Sequence, residues 1–147
     1  MRVYRQFVVF VLAALFFGCA YYIDHNPDLA VNIATEFSQR AFVERAFPRA
    51  YEKLSPEKLD SFTENAFEQM IISMHPRGNF PSSIQPVGWE IVPGKSMINV
   101  YLSGQIMDHP TYYRIELAGD SKRSYTVIGL YRRDSPFETS SLYRSIK

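Results

Sequence analysis

The chain has 147 residues, which is room for one domain and hardly for two. Apolar residues at 46% and charged residues at 21% exclude a disordered polymer, and a net charge of +1 gives no global pull toward nucleic acid or anionic membrane. A single Cys excludes an intrachain disulfide framework and a Cys-rich zinc site.

The first six residues carry Arg2 and Arg5 and no acid, and an unbroken apolar run of seventeen residues follows from Phe7 to Ile23. As a helix at about 1.5 Å per residue the run covers roughly 25 Å, near the ~30 Å hydrocarbon core of a bilayer. Tyr21 and Tyr22 suit the far interface, and the two arginines mark the cytoplasmic side. Residues 1–25 therefore read as a transmembrane signal anchor in the inner (plasma) membrane, with the C-terminal bulk on the periplasmic side. Two other fates export the chain equally: cleavage after Ala20, and lipidation of Cys19, which Gly18 precedes. A type IV pilin helix is excluded because residues 7–23 contain no acid.

Residues 26–133 read as an exported α+β domain. Asn26-Pro27-Asp28 starts a helix by capping, a first-turn proline and dipole complementarity. Val31, Ala34, Phe37, Ala41 and Phe42 form its apolar stripe, and Pro48 ends it near Ala46. A short turn over 49–54 follows, and Ser55-Pro56-Glu57 restarts the pattern. Ser61 to Glu64 has capping-box spacing ahead of Ala66, Phe67, Met70, Ile71 and Met74. His75-Pro76-Arg77-Gly78 ends that helix, with His75 read as a cation at the negative end of the dipole.

The period then changes to two. Strands are predicted over 87–92, 97–107, 111–118 and 125–132, separated by Pro93-Gly94, by a turn at 108–111 and by a polar loop at 119–123. Ile98, Val100, Leu102, Tyr113, Ile115 and Leu117 fall on one face, and Asn99, Tyr101, Ser103, Tyr112 and Arg114 on the other. Gly104 interrupts the apolar face and implies a bend, a bulge or a close approach by a helix. Short connections make an antiparallel meander, whose apolar face the preceding helices must cover. Residues 134–147 are Ser-rich and polar, and read as a tail that docks on a partner.

Helices followed by a curved four-stranded antiparallel sheet resemble the NTF2-like (cystatin-like) superfamily. The likeness rests on Phe47, Ala50, Tyr51, Ser55, Pro56, Phe67 and Met70 within AFVERAFPRAYEKLSPEKLDSFTENAFEQMI, and on the strands VYLSGQI, YYRIELAG and YTVIGLYRR. It covers residues 28–133. A membrane-anchored relative of similar architecture is the VirB8-type periplasmic domain of secretion machines. Enzymes of the superfamily place an Asp, with His or Tyr, in the cone between helices and sheet, where an apolar setting raises a carboxyl pKa.

The interior candidates of this chain are almost all apolar. Asp108 and His109 are adjacent in a turn and point apart. His25, His75 and His109 lack metal-ligand spacing, and Met70 and Met74 read as core. No nucleophile elbow, phosphate loop or dinucleotide fingerprint is present. The expectation is a non-catalytic domain without cofactor or metal, partnered by the lipid bilayer and other membrane protein subunits and not by nucleic acid. Tyr101, Tyr112 and Arg114 are the interface candidates, because exposed aromatics beside Arg are what interfaces enrich; cross-strand packing is the competing role.

Overall fold

The computed structural model describes residues 23–146. Its elements are α1 (Pro27–Ser38), a π turn (Gln39–Val43), α2 (Phe47–Tyr51), α3 (Pro56–Ser61), α4 (Glu64–Met74) and a 3-10 turn (Pro76–Gly78). The strands are β1 (Ser83–Ile91), β2 (Met97–Ile106), β3 (His109–Asp120), β4 (Ser124–Arg133) and β5 (Arg144–Ser145). The architecture is α+β, with one open antiparallel sheet in the order β4-β3-β2-β1-β5. Among the described residues no helix is long and apolar enough to cross a membrane. The apolar run expected to do so, with Cys19 in it, lies outside the described residues except for Ile23.

The Asn26 side chain accepts from the Leu29 amide and caps α1, with Pro27 in the first turn, as the local sequence dictates. The helix was expected to run regularly to about Ala46. Instead it widens after Ser38, where the Glu44 amide reaches back five residues to the Gln39 carbonyl at 2.9 Å. In a regular helix Phe37 and Phe42 would stand about 140° apart. The wider turn brings both inside, and both are fully buried. The cap of α4 is Thr63, which accepts from the Ala66 amide, and not Ser61, whose hydroxyl turns back to the Glu57 carbonyl. Phe62 is extended between the two helices, so α3 has already stopped at Ser61.

The alternation expected for the sheet is present. Ile98, Val100, Leu102, Tyr113, Ile115 and Leu117 are buried against Ala30, Ala34, Phe37 and Phe42 of the first helical segment and Phe67 and Ile71 of α4. At roughly 1.5–3 kcal/mol per large apolar side chain, this layer is the main stabilising term. β1 begins at Ser83, four residues before the expected start. Pro86 is tolerated because the register shifts between Pro86 and Gly88, and because β5 pairs only with Gly88 and Trp89. The β2–β3 turn is Met107–Asp108, with Met107 at φ 51°, so His109 and Pro110 belong to β3 and not to the turn. The close approach at Gly104 comes from the segment before β1 and from β3, not from a helix: a Cβ there would lie 3.1 Å from Pro81 Cβ and 3.3 Å from Thr111 Cγ2.

Two corrections concern the ends of the domain. The sheet has five strands and not four, because residues 134–146 fold back over it and supply β5. The tail therefore docks on its own chain. At the other end, residues 24–26 are tied to the β3–β4 hairpin. The Asp24 carbonyl accepts from the Ser121 amide at 2.9 Å, and the Asn26 amide donates to Tyr125 Oη at 2.9 Å.

Candidate functional site: the outer sheet face and its strap

The helices pack on one face of the sheet. Glu90, Asn99, Tyr101, Tyr112, Arg114, Glu116 and Tyr131 lie on the other, where strand alternation puts them. The register sets Tyr101 opposite Arg114 and Arg114 opposite Tyr131. The Arg114 guanidinium lies over the Tyr131 ring, 4.4 Å from its centroid, and 5.3 Å from that of Phe137. It also pairs with Glu116 at 3.1 Å. The Arg133 guanidinium lies 5.1 Å from the centroid of the same Phe137 ring. Such cation–π contacts contribute about 0.5–1 kcal/mol each where solvent reaches them.

The tail crosses this face as a strap. The Tyr143 ring stands edge-on to Tyr101 at 5.6 Å, and its hydroxyl donates to the Val87 carbonyl at 2.9 Å. Gly88 is the floor of that contact: a Cβ there would overlap the Tyr143 ring and hydroxyl. Phe137 also packs on Tyr101, tilted, with ring centroids 6.0 Å apart. Tyr101 was expected to be exposed; it is 4% exposed, because the tail covers it. Tyr112 is half-buried and Tyr131 exposed.

Glu90 is the polar centre of the strap. One carboxylate oxygen accepts from Tyr101 Oη at 2.5 Å and Asn99 Nδ2 at 3.3 Å. The other accepts from the amide and hydroxyl of Ser140, both at 3.0 Å. Partial burial pushes the Glu90 pKa up, but the donors from Tyr101, Ser140 and Asn99 outweigh it and hold the carboxyl below the usual range. The phenol of Tyr101 is pushed well above its ordinary value by burial and then by Glu90.

Two predictions follow from this geometry. Gly88→Ala forces Tyr143 off the sheet, so trypsin cleaves at Arg144 at least several times faster while the unfolding midpoint moves little; an unchanged digestion rate contradicts the contact. Since the folded pKa of Glu90 is depressed, its contribution is complete above the unfolded carboxylate value and is lost as pH falls through the folded value. Tail protection against an acid-active protease therefore drops in the acid range below about pH 4.5, and Glu90→Gln abolishes that pH dependence.

The core between the helices and the sheet holds a buried polar pair. His75 is 1% exposed at the end of α4, and its burial disfavours the cation expected there. Its Nδ1 lies 2.8 Å from the Ile71 carbonyl, which can only accept, so Nδ1 carries the proton and Nε2 accepts from Tyr113 Oη at 2.9 Å. Burial lowers the His75 pKa against the opposing bond to Ile71, and pushes the Tyr113 phenol up to about 12. Sequence reasoning missed this pair; His-Pro reads as a helix end, and its partner is 38 residues away. A cavity of about 280 Å³ opens between α3, α4 and β4, walled by Leu54, Phe62, Phe67, Met70, Val127 and Leu130, with Lys58, Ser61 and Tyr131 as its polar side chains. Among the described residues no carboxylate, His or Cys lines it. Asp108 and His109 stay at the β2–β3 tip, and among the described residues no group of three or more His, Cys, Asp or Glu could hold a metal. Comparison with family models, with curated proteins and with solved structures finds no match.

Proposed function

We propose that this chain is a non-catalytic, membrane-tethered interaction domain of NTF2-like type, an accessory or assembly subunit of a larger membrane protein complex. Residues 1–25 hold it in the inner (plasma) membrane with the N-terminus cytoplasmic, and the domain acts on the periplasmic side. The observation that carries the reading is the outer sheet face. Tyr112, Arg114, Tyr131 and Phe137 form an aromatic–guanidinium patch on the side that the helices leave uncovered. Tyr and Arg dominate the centres of protein interfaces because they offer large area with few rotors and several donors. The tail strap belongs to the docking surface, since Phe137 completes it.

A photo-cross-linking residue at position 112 tests this in native membranes of the full chain. The expected result is a cross-link to an integral membrane protein that Arg114→Ala weakens while the domain stays folded. A chain that yields only uncross-linked monomer contradicts the proposal. Tyr101→Ala is the wrong probe, because it removes a buried packing partner of the strap.

The apolar cavity between α3, α4 and β4 favours a second reading, a binder or isomerase/dehydratase-like protein for a small apolar molecule. Native mass spectrometry of the chain extracted from membranes separates the two, since a retained small ligand supports the second. The same spectrum reads the mature N-terminus, where an acylated Cys19 would make the chain an exported lipoprotein.

A further inference from the structure

The junction between the apolar run and the domain contains no linker. Ile23 closes the run, and Asp24 is already part of the fold. Its carbonyl accepts from the Ser121 amide at 2.9 Å, and its carboxylate accepts from Ser121 Oγ at 2.7 Å. Asn26 is bound to Tyr125 Oη and caps α1 one residue later. One residue spans at most about 3.8 Å. A domain joined this way cannot hang free of the surface through which its chain emerges.

Ser121 belongs to the turn between β3 and β4. The β1–β2 turn is bound to the same end of the sheet, because the Gly119 amide donates to the Ser96 carbonyl at 2.9 Å. These two tips expose Lys95, Lys122 and Arg123, and the Arg123 side chain is 86% exposed. The nearby acids are engaged or set back. Asp120 accepts from the Lys122 and Arg123 amides, both at 2.9 Å, and reaches the Arg123 guanidinium only at 4.0 Å. Asp24 is held by Ser121, and Asp28 lies in the first turn of α1.

We propose that this end of the sheet is a bilayer-contacting surface on which Lys95, Lys122 and Arg123 meet the phosphates of lipid headgroups. The proposal rests on the membrane-tether reading and adds an orientation to it. Flexible cations a few ångströms from an anionic interface are drawn to it. The opposite end, with the Met107 tip, then points into the periplasm, although Met107 is the most exposed large apolar side chain among the described residues at 74%. The outer sheet face stands along the membrane normal, where a neighbouring membrane subunit can reach it.

The test uses the full chain in vesicles of phosphatidylcholine and phosphatidylglycerol, with Cys19→Ala as background. Single fluorophores are placed through Lys95→Cys, Lys122→Cys or Met107→Cys, and a nitroxide on the lipid headgroup is the quencher. The expected result is strong quenching at 95 and 122 and little at 107. Equal quenching at the three positions, or stronger quenching at 107, overturns the orientation. With a reporter at Ser96→Cys, reversing the three cations to Glu lowers quenching in these anionic vesicles by about twofold or more; unchanged quenching overturns the phosphate contact. Flotation separates the two levels of the argument. A chain that floats with the vesicles but has unquenched tips defeats the seating alone, whereas a chain that does not float defeats the tether as well.

Discussion

Phe42→Ala lowers the unfolding free energy by about 3–5 kcal/mol, the usual result of truncating a fully buried aromatic. The side chain has no exposed surface. Its ring stacks on Tyr113 at 4.6 Å, meets Phe37 edge-on at 6.2 Å and lies 5.4 Å from the His75 ring. It therefore joins the first helical segment to β3 and to the end of α4, and the widened turn at Gln39–Val43 exists where this ring must enter. Small domains have roughly 5–15 kcal/mol in total, so the variant loses a large fraction of its stability. Thermal unfolding of the detergent-solubilised chain measures it, with Phe42→Leu expected to retain most of what Ala loses. A loss below about 1 kcal/mol would place Phe42 outside the core and contradict the description of the turn.

Tyr113→Phe costs about 1–3 kcal/mol, because it removes the hydroxyl alone and leaves His75 Nε2 buried without a donor. His75→Leu combined with Tyr113→Phe costs less than the sum of the single changes, since no polar atom of the pair is then stranded. The Ile71 carbonyl still loses the His75 Nδ1 donor in that variant, so the double change is not free. The pair also shapes the pH response. Burial depresses the folded pKa of His75, so the unfolded chain binds its proton more readily. Stability from this group is complete above the unfolded value near pH 6.5 and falls as pH drops below it toward the folded pKa. Unfolding followed between pH 5 and pH 8 (roughly the window of histidine titration) is expected to show this slope in the parent chain and to lose it in His75→Leu. A slope of opposite sign would mean that His75 is charged in the fold.

Where local periodicity decides structure, the sequence was legible. The two-residue alternation of β2 and β3 assigned Ile98, Val100 and Leu102 to the core and Tyr101 and Arg114 to the far face, because a one-residue slip would bury charge. The starts of α1 and α3 were equally legible, since each opens on a proline, preceded by Asn26 or Ser55. What escaped depends on partners far away in the chain. Phe137 and Tyr143 have no period with their neighbours; their positions are fixed by Tyr101 and by the bare backbone of Gly88, more than 30 residues earlier. The strap therefore read as a tail docking on a partner and not on its own sheet, and Tyr101 read as exposed. The His75–Tyr113 pair escaped for the same reason, and the π turn because a stripe of apolar residues does not reveal one extra residue in a turn.

The tether itself is tested most directly by fractionating cells that express the full chain and then adding protease to intact spheroplasts. The chain is expected to stay in the membrane pellet after alkaline carbonate washing, and the domain to be digested from outside. Recovery in the cytosolic fraction, with the domain protected until the cells are lysed, would contradict it.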